Sequence, residues 1–272
     1  MNRRLPLVLV AALALSAAGC AKLRARDSLN KGVQSFKAQR FDEAVEFFKA
    51  AKEQDPTLLN ARLYLATAYA TMYIPGAPSE ENIRNGEMAI REFREVLQIQ
   101  SDNTNAMDGI GSILFNMAGA PYDPKKLEES KTYHLQHIKI KPQDPDPYYW
   151  IGVINWKLAY AANNQMRSEY KEANRRELKE SDPLPARVRE GFQQYYAGVV
   201  DEGIQHLEEA TKRDPDYESA YAYLNLLYRQ KADMVESKDE REQHFTTADG
   251  FIEKYKVVKQ RKMEKEAAKV GS

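Results

Sequence analysis

Apolar residues return at every third or fourth position along most of this chain, the spacing that builds one face of an α-helix. The pattern is clearest between Arg26 and Thr57. There Phe41, Val45, Phe47 and Phe48 form the apolar stripe of a short amphipathic helix. Ala44 on that stripe is small enough to let a second helix approach closely. Asp55-Pro56 ends the helix, because proline disfavours helical geometry in the residue before it. An earlier helix supplies Gly32 and Phe36. No alternating Val/Ile/Thr-rich run predicts a strand. One hairpin of this length cannot bury its apolar face alone, so it needs neighbours stacked on it.

Ala44 and Phe48, four residues apart and followed by Pro56, stand at the spacing of the second helix of a tetratricopeptide repeat, which this stretch resembles. Leu65, Ala66 and Tyr69 fit the first helix of a second copy, and Ala89 and Phe93 its second helix. A connection from Met72 to Asn85 is expected between them. Ile110-Gly111 opens a third unit, whose second helix is expected from Lys125 to Lys141, closed by Pro142. Tyr148, Ile151 and Gly152 open a fourth, with a charged second helix expected over Met166 to Ser181. Gly191, Gly198, Gly203, Leu207, Ala210 and Pro215 mark a compact fifth, and Tyr221, Leu224 and Tyr228 a sixth, with a partner helix expected from Glu240 to Lys259. The expected boundaries are 26–58, 59–103, 104–144, 145–183, 184–217 and 218–258, followed by a charged tail over 259–272. The resemblance implies an all-α, right-handed superhelical solenoid of about five to six helix hairpins, with the first helices lining a concave groove.

The N-terminus follows a different logic. Asn2-Arg3-Arg4, a short apolar run from Leu5 to Leu15 and the small residues Ser16 to Gly19 read as a secretory signal over 1–19. Gly19-Cys20 resembles the end of a bacterial lipoprotein signal, although Ala17 stands where leucine is most common. That resemblance implies cleavage before Cys20, acyl chains (palmitate among them) on this residue and a linker over 20–25. Cys20 is the single cysteine in the chain, so no intrachain disulfide framework exists. Ala21 after it resembles an outer-membrane address. Simple secretion into the periplasm, with cleavage near Ala18, is the alternative.

Composition then removes several functions. Forty basic residues balance forty acidic ones, which argues against a nucleic-acid binder. No P-loop, H-E-x-x-H, G-x-S-x-G or G-x-G-x-x-G motif is present. His134 and His137 share a helix face and could share a metal. They also occupy second-helix positions that normally hold Phe and Ala, so packing is the expected role. No catalytic group, metal or cofactor is expected. The basic stretch from Lys254 to Lys269 reads as a solvated tail.

Candidate recognition residues follow from the helix faces. Asn60, Asn105, Asn116, Tyr149, Trp156, Tyr195 and Tyr196 fall on the faces expected to line the groove. The family's carboxylate clamp does not carry over, since Leu29, Val33 and Lys37 stand at its places in the first repeat. Gly76-Ala77-Pro78 and Gly119-Ala120-Pro121 repeat one insertion between the helices of units two and three, so Gly76, Pro78, Gly119 and Pro121 are expected in a paired lip that touches a partner. The whole resembles bacterial tetratricopeptide-repeat lipoproteins. It implies a lipid-anchored scaffold on the periplasmic face of the outer membrane, serving envelope assembly, secretion or pilus biogenesis through a protein or peptide partner. The alternative is a small-ligand-binding accessory lipoprotein of a periplasmic transport system. A closed pocket lined by Tyr149, Trp156 and Tyr195 would favour that alternative.

Overall fold

The computed structural model describes residues 5–119, 122–179 and 182–270, with side chains over 20–269. Among the described residues ten α-helices follow one another: α1 (Leu5–Lys37), α2 (Phe41–Gln54), α3 (Leu59–Met72), α4 (Glu80–Ile99), α5 (Thr104–Met117), α6 (Pro124–Ile140), α7 (Asp146–Asn174), α8 (Ala186–Arg213), α9 (Glu218–Ala232) and α10 (Lys238–Val270). No strand forms among the described residues; one isolated bridge joins Gly119 to Tyr122. No helix among them is long and apolar enough to cross a membrane.

The chain divides after Asp123 into two compact units. In the first, α1 pairs with α2 and α3 with α4, while α2 packs on α3 and α4 on α5. Gly32 makes the first pairing possible: a Cβ there would lie 2.4 Å from the Phe48 ring. The glycine of α1 is therefore a socket for the aromatic of α2, with Ala44 and Ala51 buried beside it. In the second unit α6 packs on α7, α7 pairs with α8, and α9 pairs with α10. Its core is built on Phe192, Leu207, Leu224 and Leu227, all fully buried.

One local device turns the chain after three of the second helices. Asp55 Oδ1 accepts from the Thr57 amide at 3.0 Å, Asp144 Oδ1 from Asp146 at 3.1 Å, and Asp214 Oδ1 from Asp216 at 2.8 Å. In each case the aspartate folds its side chain over a following proline to turn the backbone. The second of these helices, α6, ends at Ile140 just before the expected Pro142, and Asp144-Pro145 turns the chain into α7.

Three expectations need correction. The second helix of unit four does not exist as a separate element, and the fifth unit is not a compact hairpin. Residues 157–174 hold no proline or glycine, so α7 runs on to Asn174, where Arg175 turns into the left-handed region (φ 52°). Residues 186–213 likewise form the single helix α8. The two expected units are one long hairpin, sealed where Gly152 receives Leu207, 2.3 Å from a Cβ at that position. The first long connection is also shorter than expected, because Ser79 caps α4 seven residues before Gly86 by accepting from the Asn82 amide at 3.2 Å. The charged tail is helical to Val270, and three of its exposed basic side chains reach back: Arg261 pairs with Asp216, Lys262 with Glu218, and Lys265 Nζ lies 3.5 Å from Asp216.

Candidate functional site

The first unit gathers two of the expected recognition residues. Asn60 on α3 and Asn105 on α5, both exposed, line one open groove of about 300 Å³ with Leu63, Tyr64, Thr67 and Phe93. Tyr64 is braced from behind by stacking on Phe48, with ring centroids 5.5 Å apart. The same socket that closes α1 on α2 therefore also orients a groove residue. Asn116 does not join them. It is half-buried at the end of α5, where its carbonyl accepts from the Ala118 amide.

The first Gly-Ala-Pro loop is a rigid feature. Asn82, buried on α4, accepts from the Ile74 amide at 2.6 Å and donates to the Ile74 carbonyl at 2.8 Å and the Ala77 carbonyl at 2.9 Å. Gly76 sits at φ +80°, a conformation that favours glycine. Gly76 and Pro78 are exposed, and Ile74 is 64% exposed at the loop edge. In the second loop Gly119 and Tyr122 are exposed; Pro121 lies outside the described residues. The roots of the two loops meet on α4: a Cβ at Gly86 would lie 3.1 Å from the Tyr73 ring and 3.3 Å from Met117 Sδ.

In the second unit the expected aromatics split into two sets. Tyr149 lies 4.9 Å from Tyr217 and 5.8 Å from Tyr223, and Trp156 lies 5.2 Å from Tyr223 and stacks on Tyr160. Burial raises the Tyr149 hydroxyl to about 12, with Tyr223 adding to the shift. Burial also raises Tyr217, and the Asp146 carboxylate beside it raises it further. Both hydroxyls are therefore protonated donors at any physiological pH. Tyr195 and Tyr196 instead line a separate open groove of about 500 Å³ with Ala162, Gln165, Met166 and Glu169. Neither Tyr149 nor Trp156 lines the groove that holds Tyr195.

The histidine pair is buried. His134 stacks on Trp150 with centroids 6.0 Å apart, and His137 Nε2 lies 3.3 Å from Asp144 Oδ2. Both are built into packing between α6 and α7. Among the described residues no group of three or more His, Cys, Asp or Glu side chains is placed to hold a metal ion. Cys20 is exposed on α1.

Sequence reasoning missed two features of the first unit. Asn82 was legible as part of Ser79-Glu80-Glu81-Asn82, a helix-start signature. The second feature is a cleft of about 400 Å³ lined by Arg62, Arg91, Arg94, Glu95, Gln98 and Ile99. Arg91, Arg94 and Gln98 recur at the spacing of one helix face, but Arg62 joins them only through the fold.

No family model matches the sequence. Among curated proteins, Tetratricopeptide repeat protein 13 of Homo sapiens is 22% identical over 190 residues, 70% of this chain. The chain spans only 20% of that protein's length. Among solved structures, MamA (residues 41 to the end) from Desulfovibrio magneticus RS-1 superposes with a TM-score of 0.53 at 14% identity, over 85% of this chain and 96% of that one. A second MamA crystal structure gives 0.55 at 17% identity, over 85% and 93%. YrrB, described as a TPR protein with an unusual peptide-binding site, gives 0.51 at 12% identity, over 87% and 90%. At these identities the likeness establishes the fold, and function must be argued from the site.

Proposed function

We propose that this chain, whose fold is that of the tetratricopeptide-repeat proteins, is a non-enzymatic interaction scaffold that holds an extended segment of a protein partner. We further propose that a lipid on Cys20 tethers it to the periplasmic face of a bacterial outer membrane. The observation that carries the first part is the pairing of Asn60 and Asn105 across one groove floored by Leu63, Tyr64 and Phe93. A carboxamide both donates and accepts, so two of them from successive repeats can satisfy the backbone of an extended chain. The apolar floor takes its side chains, and Tyr64 is held ready by Phe48. YrrB, of like fold, is described with a peptide-binding site, which supports the same class of ligand. The first Gly-Ala-Pro loop extends this reading, since its exposed Ile74 edge, tied to α4 by Asn82, offers a second contact on the same unit. The anchor rests on the sequence before Cys20 and on that residue's exposure. Two or more acyl chains would hold the protein stably, where one would not.

The test is affinity capture from membranes with three proteins side by side. Wild type is expected to retain a specific partner and to fractionate with membranes. Asn60→Ala/Asn105→Ala should stay at the membrane and recover about tenfold less partner, the loss expected for one or two hydrogen bonds. Cys20→Ala should move to the soluble fraction. Undiminished capture by the double variant would refute the groove, and membrane retention of Cys20→Ala would refute the anchor.

A further inference from the structure

The groove between α7 and α8 belongs to the second unit and differs in chemistry from the Asn60–Asn105 groove. Ala162, Gln165, Met166 and Glu169 recur along one face of α7, and Tyr195 and Tyr196 meet them from α8. Ala162 is buried and Met166 half-buried, while Tyr195 is 69% exposed. Among the described residues that line this groove of about 500 Å³, Glu169 is the one charged side chain. The lining therefore carries a single negative charge on an aromatic and apolar ground.

That charge has no counter-ion. Gln165 Nε2 donates to Glu169 Oε1 at 2.9 Å, a neutral contact that holds the carboxylate along the helix. Among the described residues no cation pairs with Glu169, and its Oε2 is left open. Its basic neighbours on α7 are used elsewhere. Arg167 is buried and pairs with Asp233 at 2.9 Å, and Lys171 lies 3.4 Å from Glu177. The rings are equally available. Tyr196 is braced by the fully buried Phe192, with centroids 5.7 Å apart. Tyr195 has no ring and no cation against it among the described residues.

We infer that this groove is a second recognition site of the scaffold, one that takes an arginine side chain from the partner. A carboxylate among tyrosine rings attracts a cation twice, through its own charge and through the ring faces. The open shape favours arginine over lysine. A guanidinium is weakly hydrated and stacks on an aromatic face while its edge donates to a carboxylate, whereas an ammonium in an open groove keeps its water. Ala162 and Met166 give an apolar neighbour of that arginine a place to rest. The inference rests on the scaffold reading, since it names a side chain of that protein's partner.

The experiment uses fluorescence anisotropy on the full-length protein with a short dye-labelled peptide of Arg, Leu and Ser. Two matched peptides carry Lys or citrulline in place of Arg; citrulline keeps the shape of arginine without its charge. Wild type should bind the Arg peptide best, the Lys peptide several-fold more weakly and the citrulline peptide not at all, and high salt should weaken the first two. Glu169→Gln/Tyr195→Leu, whose side chains are exposed, should melt as wild type does and bind the Arg peptide about tenfold more weakly, the combined loss of an ion pair and a cation–π contact. Tyr195→Phe should bind as wild type does, because the ring and not the hydroxyl makes the contact. Equal binding of the Arg and citrulline peptides, or unchanged binding by the double variant, would overturn the inference. So would displacement by choline at concentrations equal to the peptide's, which would reassign the groove to a small quaternary ammonium. The Asn60→Ala/Asn105→Ala protein should bind the Arg peptide as wild type does. If partner capture fails for that variant yet Arg-peptide binding also fails in wild type, only this inference falls. If Arg-peptide binding holds while capture is indifferent to the asparagines, the Asn60–Asn105 groove falls and the α7–α8 groove stands.

Discussion

Asn82 shows how much one side chain can organise. Three of its hydrogen bonds replace what a strand partner or a longer helix would give the backbone of Ile74 and Ala77. Each such bond contributes about 0.5–1.5 kcal/mol net, and leaving the buried groups unpaired costs more. Asn82→Ala should therefore lower stability by about 2–3 kcal/mol in urea unfolding and speed proteolysis at Pro75–Pro78. Asn82→Asp keeps the acceptor for the Ile74 amide but loses both donors, so it should fall between the two. If Asn82→Ala unfolds like wild type and its loop resists protease equally, the strap contributes nothing. This also revises what the repeated Gly-Ala-Pro means. The motif reads in sequence as part of a lip whose role is to touch a partner. In the structure the first loop is tied into α4, so removing it would disturb the fold as well as any partner.

At the scale of whole helices, the long α7–α8 hairpin is where sequence and structure part. The first two repeats were legible because their signals are local: an alanine four residues before a phenylalanine, a glycine that admits that ring, an Asp-Pro turn. The stretch from Asn163 to Lys179 carries no such local signal. Charged and rich in Glu, Lys and Arg, it suits either a separate helix or a continuation. What decides is a partner 66 residues away: Arg167 Nη2 donates to Asp233 at the end of α9, 2.9 Å off. Arg167 Nε donates to Asn163, and Asn163 donates in turn to Gln230 and Asp233, both at 2.9 Å. Arg167 Nη1 also reaches the Lys179 carbonyl at 2.8 Å, tying the connection after α7 onto the helix. All four side chains are buried. Removing one member strands a buried charge, so Asp233→Ala should cost about 3–5 kcal/mol in urea unfolding. Arg167→Met/Asp233→Leu, which removes both charges and keeps volume, should recover most of that loss. A double variant as unstable as the single one would mean the network acts through shape and not through paired charge. The candidate sites divide the same way. Asn60 and Asn105 could be placed from helix faces because each sits on a regular repeat. The Arg62 cleft needed α3 brought against α4, and the aromatic split between Tyr149 and Tyr195 needed the true length of α7.

Across the whole molecule, a set of carboxylates couples stability to pH. Glu95 and Glu202 would be raised by burial, but Lys52 outweighs it at the first, and Lys131 and Asn155 at the second, so both lie below the usual 4.5. Hydrogen bonds from Arg213 and Lys212 pull Glu209 down to about 2, and one from Lys262 lowers Glu218. Each group is more acidic folded than unfolded. The folded chain therefore binds fewer protons than the unfolded chain as pH falls past 4.5, and the stabilisation present above that value fades below it. The melting temperature should be nearly flat from neutral pH to about 5.5 and then drop steadily towards pH 3. Lys131 is the most informative place to test the cause, because it and Glu202 are largely buried and Met can replace its stem. Lys131→Met should melt below wild type at neutral pH, where Glu202 is charged and has lost its cation. The gap should shrink as pH falls and Glu202 takes up a proton in both proteins. A gap of the same size at pH 7 and pH 3 would assign Lys131 a packing role and remove Glu202 from the acid response.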